Sequence, residues 1–177
     1  KEGGILPELE RIVFDTAIES ISKIRKNCRN NFKISVNITA HSFYWEIEKY
    51  IAEKLKEYQV PAEYLWLEIT EQDMLTNSEM VIDKIEQLKK AGHKLLIDDF
   101  GMGHTSILYL QSSSFGVVKL DGSLVKDVLD NTTNQQIISS LVRCLETTPT
   151  GSKLLVPDDV PTDKAINQLQ QFILRNR

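Results

Sequence analysis

The sequence predicts a protein of the α/β class, in which parallel strands alternate with helices. Short apolar runs of strand character recur along the chain, and each is followed by a segment with helical apolar spacing. The first three runs begin about thirty residues apart, which is the spacing of strand–helix–strand units. Successive apolar side chains within the runs are typical of strands that helices cover on both faces.

An amphipathic helix is predicted to open the chain. Pro7, a residue tolerated in the first turn of a helix, precedes apolar residues at helical spacing. These residues are Leu9, Ile12, Val13, Ala17, Ile21 and Ile24. We expect this helix to cover one face of the sheet.

Five strand–helix units are predicted after the opening helix. The strands are expected at Lys33–Asn37, Tyr64–Thr70, Lys94–Asp98, Gly116–Asp121 and Lys153–Val156. The helices are expected at about Ser42–Glu57, Ser78–Lys90, Thr105–Gln111, Thr133–Leu145 and Thr162–Leu174. Ser42, Ser78 and Thr133 occupy positions where a hydroxyl can cap a helix N-terminus. Residues 147–152 resemble a linker or loop.

Two architectures satisfy this pattern, a doubly wound sheet and a (β/α)8 barrel. A complete barrel typically needs about 250 residues. With 177 residues, the chain is expected to be a single domain over residues 1–177 and, as a barrel, an incomplete one.

Composition excludes several partners. The net charge is −4 and no stretch is rich in Lys and Arg, so polymeric nucleic acid is not an expected ligand. The longest apolar runs, such as Leu95–Ile97, fall far short of the ~20 residues that span a bilayer. Cys28 and Cys144 have no C-x-x-C spacing, which favours a reducing compartment such as the cytoplasm.

Polar residues follow the apolar runs of four successive strands. In parallel α/β folds the carboxyl ends of the strands share one rim, so these residues are expected to meet around one pocket. They are Asn37, Glu68, the pair Asp98 and Asp99, and Lys119 with Asp121.

The residue types at these strand ends favour a site for hard divalent cations. Oxygen ligands suit Mg²⁺ and Mn²⁺, and Asn37, Glu68 and Asp98 are a credible set. Adjacent carboxylates repel each other unless a cation lies beside them, so Asp98 and Asp99 suggest one or two ions. Two ions could clamp a phosphodiester during hydrolysis. Lys119 could stabilise charge on the phosphoryl oxygens, although taken alone it reads as a solvated or salt-bridged lysine.

A glycine-rich stretch, Phe100–Ser106, follows the aspartate pair. Glycines here allow backbone to approach a ligand closely before the next helix begins. The candidate substrate-binding residues in this stretch are Gly101, Gly103, Thr105 and Ser106.

Four strings of residues resemble consecutive signature blocks of the EAL-domain family, in the same order and at similar intervals. The Asp-Asp-Phe-Gly-x-Gly block is the most specific, and the resemblance runs from about Leu6 to Leu145. The strings are Val36–Ala40, Leu67–Glu71, Ile97–Ser106 and Val118–Asp121.

The resemblance implies a TIM-like barrel that hydrolyses cyclic-di-GMP to the linear dinucleotide pGpG with Mg²⁺ or Mn²⁺, in bacterial second-messenger signalling. By matching motif positions, Asn37, Glu68 and Asp98 would bind metal and Asp99 would serve a second ion. Lys119 would hold the nucleophilic water and Asp121 would lie beside it. Glu71 would brace the loop that carries the aspartates and couple the site to dimerisation. A homodimer and an upstream sensory or GGDEF-type domain are compatible partners.

Two family blocks have no counterpart in the chain. No Glu-Ala-Leu block precedes the opening helix, and Val156–Thr162 stands where the family has Ala-Glu-Gly-Val-Glu-Thr. Asp158 or Asp159 could substitute for a glutamate, with a shorter reach. One explanation is that the chain lacks the ends of the domain that carry these blocks. An alternative is a degenerate domain that acts as a cyclic-di-GMP receptor or a protein-interaction module. Another is a different Mg²⁺-dependent barrel with a lysine base, against which the Asp-Asp-Phe-Gly block argues.

Overall fold

The structure is a computed structural model. It describes residues 5–27, 32–75, 78–101, 115–126, 128, 130–146, 153–155 and 167. Within these ranges, no helix is long and apolar enough to cross a membrane. The cytoplasmic location stays a prediction.

The chain divides into two compact units, and the single domain over residues 1–177 stays a prediction. The first unit comprises Lys1–Ile69 and Asp73–Leu95, and the second comprises Thr70–Gln72 and Leu96–Arg177.

The first unit contains two paired parallel strands and three long helices. Its helices are α1 (Ile5–Asn27), α2 (Ile47–Glu57) and α4 (Ser78–Lys90), and its strands are β1 (Ile34–Ile38) and β2 (Leu65–Thr70, with Thr70 in the second unit). A short helix α3 (Glu71–Leu75, with Glu71 and Gln72 in the second unit), which the sequence did not predict, follows β2 directly. In the parallel register of β1 and β2, Val36 lies opposite Leu67 and Asn37 lies opposite Glu68.

The predicted opening helix is confirmed, but its predicted buried face is only partly right. Ala17 and Ile21 are buried, together with Phe14 and Ile18. The predicted core residues Leu9, Ile12, Val13 and Ile24 are exposed instead. The helix carries apolar residues on two faces, and the face with the spacing i, i+3, i+4, i+7 from Phe14 is the buried one.

The predicted helix over Ser42–Glu57 is two helices. A 3-10 helix spans Ala40–Trp45, and α2 begins only at Ile47. Glu46 lies between them with φ 58°, a left-handed conformation that ends one helix before the next starts. Ser42 lies inside the 3-10 helix and not at its N-cap, which is Thr39, so that capping prediction was wrong.

Three parallel strands are described in the second unit. β3 (Lys94–Phe100), whose first two residues belong to the first unit, pairs with β4 (Val117–Leu120), and β4 pairs with β5 (Lys153–Leu155). The described residues between β4 and β5 form a short α5 (Gly122–Lys126), which was not predicted, and α6 (Thr132–Glu146). The α6 cap is Asn131, whose side-chain oxygen accepts from the Thr133 and Asn134 amides, and not Thr133 as predicted.

The remaining boundaries agree with the prediction to within three residues, and α4 matches it at both ends. The predicted helix at Thr105–Gln111 and the loop at 147–152 lie outside the described residues. So does the predicted helix at Thr162–Leu174, apart from Asn167, which is helical.

Candidate active site

Asn37 and Glu68 lie side by side at the carboxyl ends of β1 and β2. They are partners in the parallel register, so the amide and the carboxylate leave their strands at the same level. Asn37 is exposed, whereas Glu68 is only 7% exposed. The first unit therefore brings two of the predicted ligands together, as the strand-end pattern indicated.

Asp98 and Asp99 occupy a bulge in β3. Ile97 lies opposite Val118 and Phe100 lies opposite Leu120, so β3 takes three steps where β4 takes two. Asp99 has φ 53°, in the left-handed region, and its amide contacts the Asp98 carboxylate at 3.0 Å. In a regular strand neighbouring side chains point to opposite faces, and a bulge relaxes that alternation. The extra residue thus sets two adjacent carboxylates opposite the single β4 residue Lys119.

Lys119 forms an ion pair with Asp98. Its Nζ lies 3.3 Å from Asp98 Oδ1 and 3.4 Å from Oδ2, and Lys119 is only 8% exposed. A buried ammonium needs an opposite charge nearby, and the adjacent strand supplies it. The salt-bridged lysine that the sequence allowed is therefore confirmed, and it sits at the predicted strand end.

Glu71, the residue after β2, is hydrogen-bonded to Gly101, the residue after β3. The Gly101 amide donates to Glu71 Oε2 at 2.8 Å, and Glu71 is 3% exposed. Gly101 has φ 113°, and a Cβ at this position would lie 2.1 Å from Leu124 Cδ1. Glycine is thus required here by backbone conformation and by packing against α5. Substrate binding by Gly101 stays a prediction, and Gly103, Thr105 and Ser106 lie outside the described residues.

Asp121 begins the connection from β4 to α5. Its carboxylate accepts from the Ser123 amide at 2.7 Å, and its own amide donates to the Phe100 carbonyl at 3.0 Å. This is the geometry of an aspartate that caps a helix start. It holds the ends of β3 and β4 together, and a catalytic role for Asp121 stays a prediction.

The donor chemistry at these strand ends fits Mg²⁺ or Mn²⁺. One amide and three carboxylates are hard oxygen ligands, and the described histidines and Cys144 are not among them. Each unit, however, contributes only two of these four residues: Asn37 and Glu68 lie in the first unit, and Asp98 and Asp99 lie in the second. Across the described ranges, no three His, Cys, Asp or Glu side chains gather closely enough to hold a metal ion.

Two further acidic residues hold the segment after β1, and the sequence did not indicate either. Asp73 of α3 accepts from the Ala40 amide at 3.3 Å, and Glu10 of α1 accepts from the Ser42 hydroxyl at 2.5 Å. Each partner lies more than thirty residues away in the chain. Only the pattern of a carboxylate beside the apolar face of α1 could have drawn attention to Glu10.

Parallel strands that alternate with helices, with polar residues at the strand ends, place the chain in the α/β class. The match to solved EAL-domain structures places it in the TIM-barrel-like class. The model of the EAL domain matches residues 1–149. The chain therefore belongs to the EAL domain family.

Named relatives and solved structures agree with this family. The chain is 32% identical over 142 residues to "Cyclic di-GMP phosphodiesterase PdeA" of Borreliella burgdorferi. The aligned residues cover 79% of this chain and 21% of that protein. The chain thus spans about a fifth of that relative's length.

Two solved structures share the fold. "PaMucR Phosphodiesterase, c-di-GMP complex" aligns with a TM-score of 0.84 at 23% identity, over 96% of this chain and 68% of that one. A manganese and cy-diGMP complex of Klebsiella pneumoniae BlrP1 aligns with a TM-score of 0.76 at 24% identity, over 92% of this chain and 41% of that one.

Proposed function

We propose that the chain hydrolyses cyclic-di-GMP to the linear dinucleotide pGpG in bacterial second-messenger signalling, with Mg²⁺ or Mn²⁺ as cofactor. Membership of the EAL domain family and the relative named as a cyclic di-GMP phosphodiesterase support the substrate. The observation that carries the proposal is the Lys119–Asp98 pair, which sets a cation and a carboxylate together at adjacent strand ends.

In this proposal Asn37, Glu68, Asp98 and Asp99 hold the divalent ions. The manganese complex of a structural neighbour supports this choice of cofactor. When bound, two ions supply positive charge that polarises the phosphodiester and offsets charge on its oxygens. They also relieve the repulsion between Asp98 and Asp99, which the bulge keeps adjacent.

Lys119 has two tasks that its surroundings support. Because Asp98 lies 3.3 Å away, burial of the ammonium does not leave it without a counter-charge. A cation fixed in this way can orient the attacking water and stabilise charge that develops on the phosphoryl oxygens. The restricted freedom of a paired side chain reduces the reorganisation needed during the reaction.

Glu71 acts on position and not on the substrate. Its carboxylate holds the Gly101 amide at 2.8 Å, and Gly101 follows the bulge that carries both aspartates. Glu71 therefore limits the movement of the carboxyl end of β3. Gly101, Gly103, Thr105 and Ser106 are the residues proposed to bind the nucleotide.

The test is incubation of the 177-residue chain with cyclic-di-GMP and Mn²⁺ or Mg²⁺, with the nucleotides followed by chromatography. We expect pGpG to accumulate only when the metal is present, and EDTA to stop it. Tight binding of cyclic-di-GMP that is still intact after long incubation would show that the chain is a receptor and not an enzyme. Metal binding without binding of any cyclic dinucleotide would favour a different metal-dependent barrel.

A further inference from the structure

Glu10 of α1 anchors the turn that follows β1. Its Oε1 accepts from the Ser42 hydroxyl at 2.5 Å and its Oε2 accepts from the Trp45 indole N–H at 2.7 Å. Ser42 is fully buried, so its hydroxyl depends on protein partners. The Arg11 guanidinium lies over the Trp45 ring, 5.1 Å from its centre, at a cation–π distance.

Ser42 links Glu10 to Thr39 through hydrogen bonds. The Thr39 amide donates to Ser42 Oγ at 2.9 Å, and the two hydroxyl oxygens are 3.2 Å apart. A serine hydroxyl has one proton, and an ionised Glu10 can only accept, so that proton goes to Glu10. The Thr39 hydroxyl must then donate to Ser42. Glu10 thereby fixes the direction of the two hydrogen bonds that the Ser42 and Thr39 hydroxyls donate.

The turn lies directly beyond a proposed metal ligand. Asn37 is the last residue but one of β1, and Thr39 follows the strand. On one side the register with Glu68 holds Asn37. On the other side the strand continues through Ile38 to Thr39, whose amide donates to Ser42 Oγ, and Ser42 in turn donates to Glu10.

We propose that Glu10 is a positioning residue for metal binding. It acts through Ser42 and Thr39 to set the direction in which the Asn37 amide leaves β1. This inference rests on the proposed function, because it assumes that Asn37 binds the divalent ion. Residues that orient a metal ligand in this way typically contribute about 10- to 100-fold to metal affinity.

The experiment compares Glu10→Gln and Ser42→Ala with the wild-type chain. Mn²⁺ binding is measured by electron paramagnetic resonance, and amide hydrogen exchange over residues 37–43 by mass spectrometry. We expect Mn²⁺ to bind about 10-fold more weakly in both variants, with faster exchange in this segment. The double variant should bind no more weakly than the weaker single one, since both changes break the same chain of hydrogen bonds.

Tyr50→Phe is the matched control. It removes the hydrogen bond that the Tyr50 hydroxyl of α2 donates to Asp15 of α1 at 2.7 Å, but it leaves Thr39 and Ser42 intact. We expect it to lower stability without changing Mn²⁺ affinity. Unchanged Mn²⁺ binding in Glu10→Gln, whatever its stability, would overturn the proposal. If the wild-type chain binds no Mn²⁺, the proposed metal site is wrong. Faster hydrogen exchange in Glu10→Gln would in that case show that Glu10 has a purely structural role.

Discussion

Lys119 and Asp98 form an ion pair across two adjacent parallel strands, with Nζ 3.3 Å from Oδ1. Their side chains are 11% and 21% exposed. In such surroundings each charge stabilises the other, and removal of one leaves the other poorly solvated. The pair also places a lysine beside Asp98, one of the proposed metal ligands.

We expect Lys119→Met to lower the rate of cyclic-di-GMP hydrolysis by about 100-fold or more, because a fixed donor to the phosphoryl oxygens is lost. It should also lower the free energy of unfolding by about 1–3 kcal/mol, because Asp98 loses its partner. Turnover assays and urea unfolding measure the two effects. Lys94→Met, at the opposite end of β3, is the control, and wild-type turnover in Lys119→Met would remove Lys119 from the mechanism.

Gly101→Ala is expected to destabilise the protein more than Gly92→Ala does. Both glycines have left-handed φ values, 113° and 95°, so alanine is strained at either position. A Cβ on Gly101 would also meet the buried Leu124 at 2.1 Å, whereas one on Gly92 would meet Ala62 at an ordinary 3.7 Å. We expect the difference in unfolding free energy to be about 1–3 kcal/mol. Equal losses in urea unfolding would mean that Leu124 yields without cost.

His93 is expected to make stability depend on pH. Burial lowers the pKa of His93, and its contact with the Leu65 carbonyl at 3.4 Å offsets only part of that effect. The unfolded chain therefore takes up a proton near the ordinary pKa of 6.5, at a pH where the folded chain does not. Stability is full above that value and falls as the pH drops towards the lowered pKa, by at most about 1.4 kcal/mol per pH unit.

Urea unfolding between pH 5.5 and 7.5 measures this dependence. His93→Gln should flatten it, since glutamine does not titrate. An unchanged slope in His93→Gln would assign the pH dependence to other groups.

The strand ends were predictable from the sequence because the change from a run of apolar residues to a polar residue is visible in the sequence itself. Glu68 after Leu67 and Lys119 after Val118 both lie where that change placed them. The bulge was not predictable. Nothing in the string Ile97–Phe100 reveals that Asp99 adopts a left-handed φ, since the partner strand decides the register.

The buried face of α1 and the hydrogen bonds of Glu10 could not be predicted from sequence patterns either. Apolar residues on two faces of α1 satisfy helical spacing equally well, and only packing selects Phe14 over Ile12. The bond from Glu10 to Ser42 spans 32 positions, a distance over which periodicity carries no information. The proposed ligands divide between two units, so their meeting around one pocket remains a prediction.

Glu68→Gln tests the central claim most directly. It preserves the shape of a side chain that is 7% exposed and removes the charge that a divalent ion requires. Glu63→Gln, an exposed glutamate just before the same strand, is the matched control. With Mn²⁺ and cyclic-di-GMP, the account predicts that Glu68→Gln loses about 100-fold or more of the rate of pGpG formation, while Glu63→Gln keeps it. Equal rates in the two variants would contradict a metal-dependent hydrolase at these strand ends.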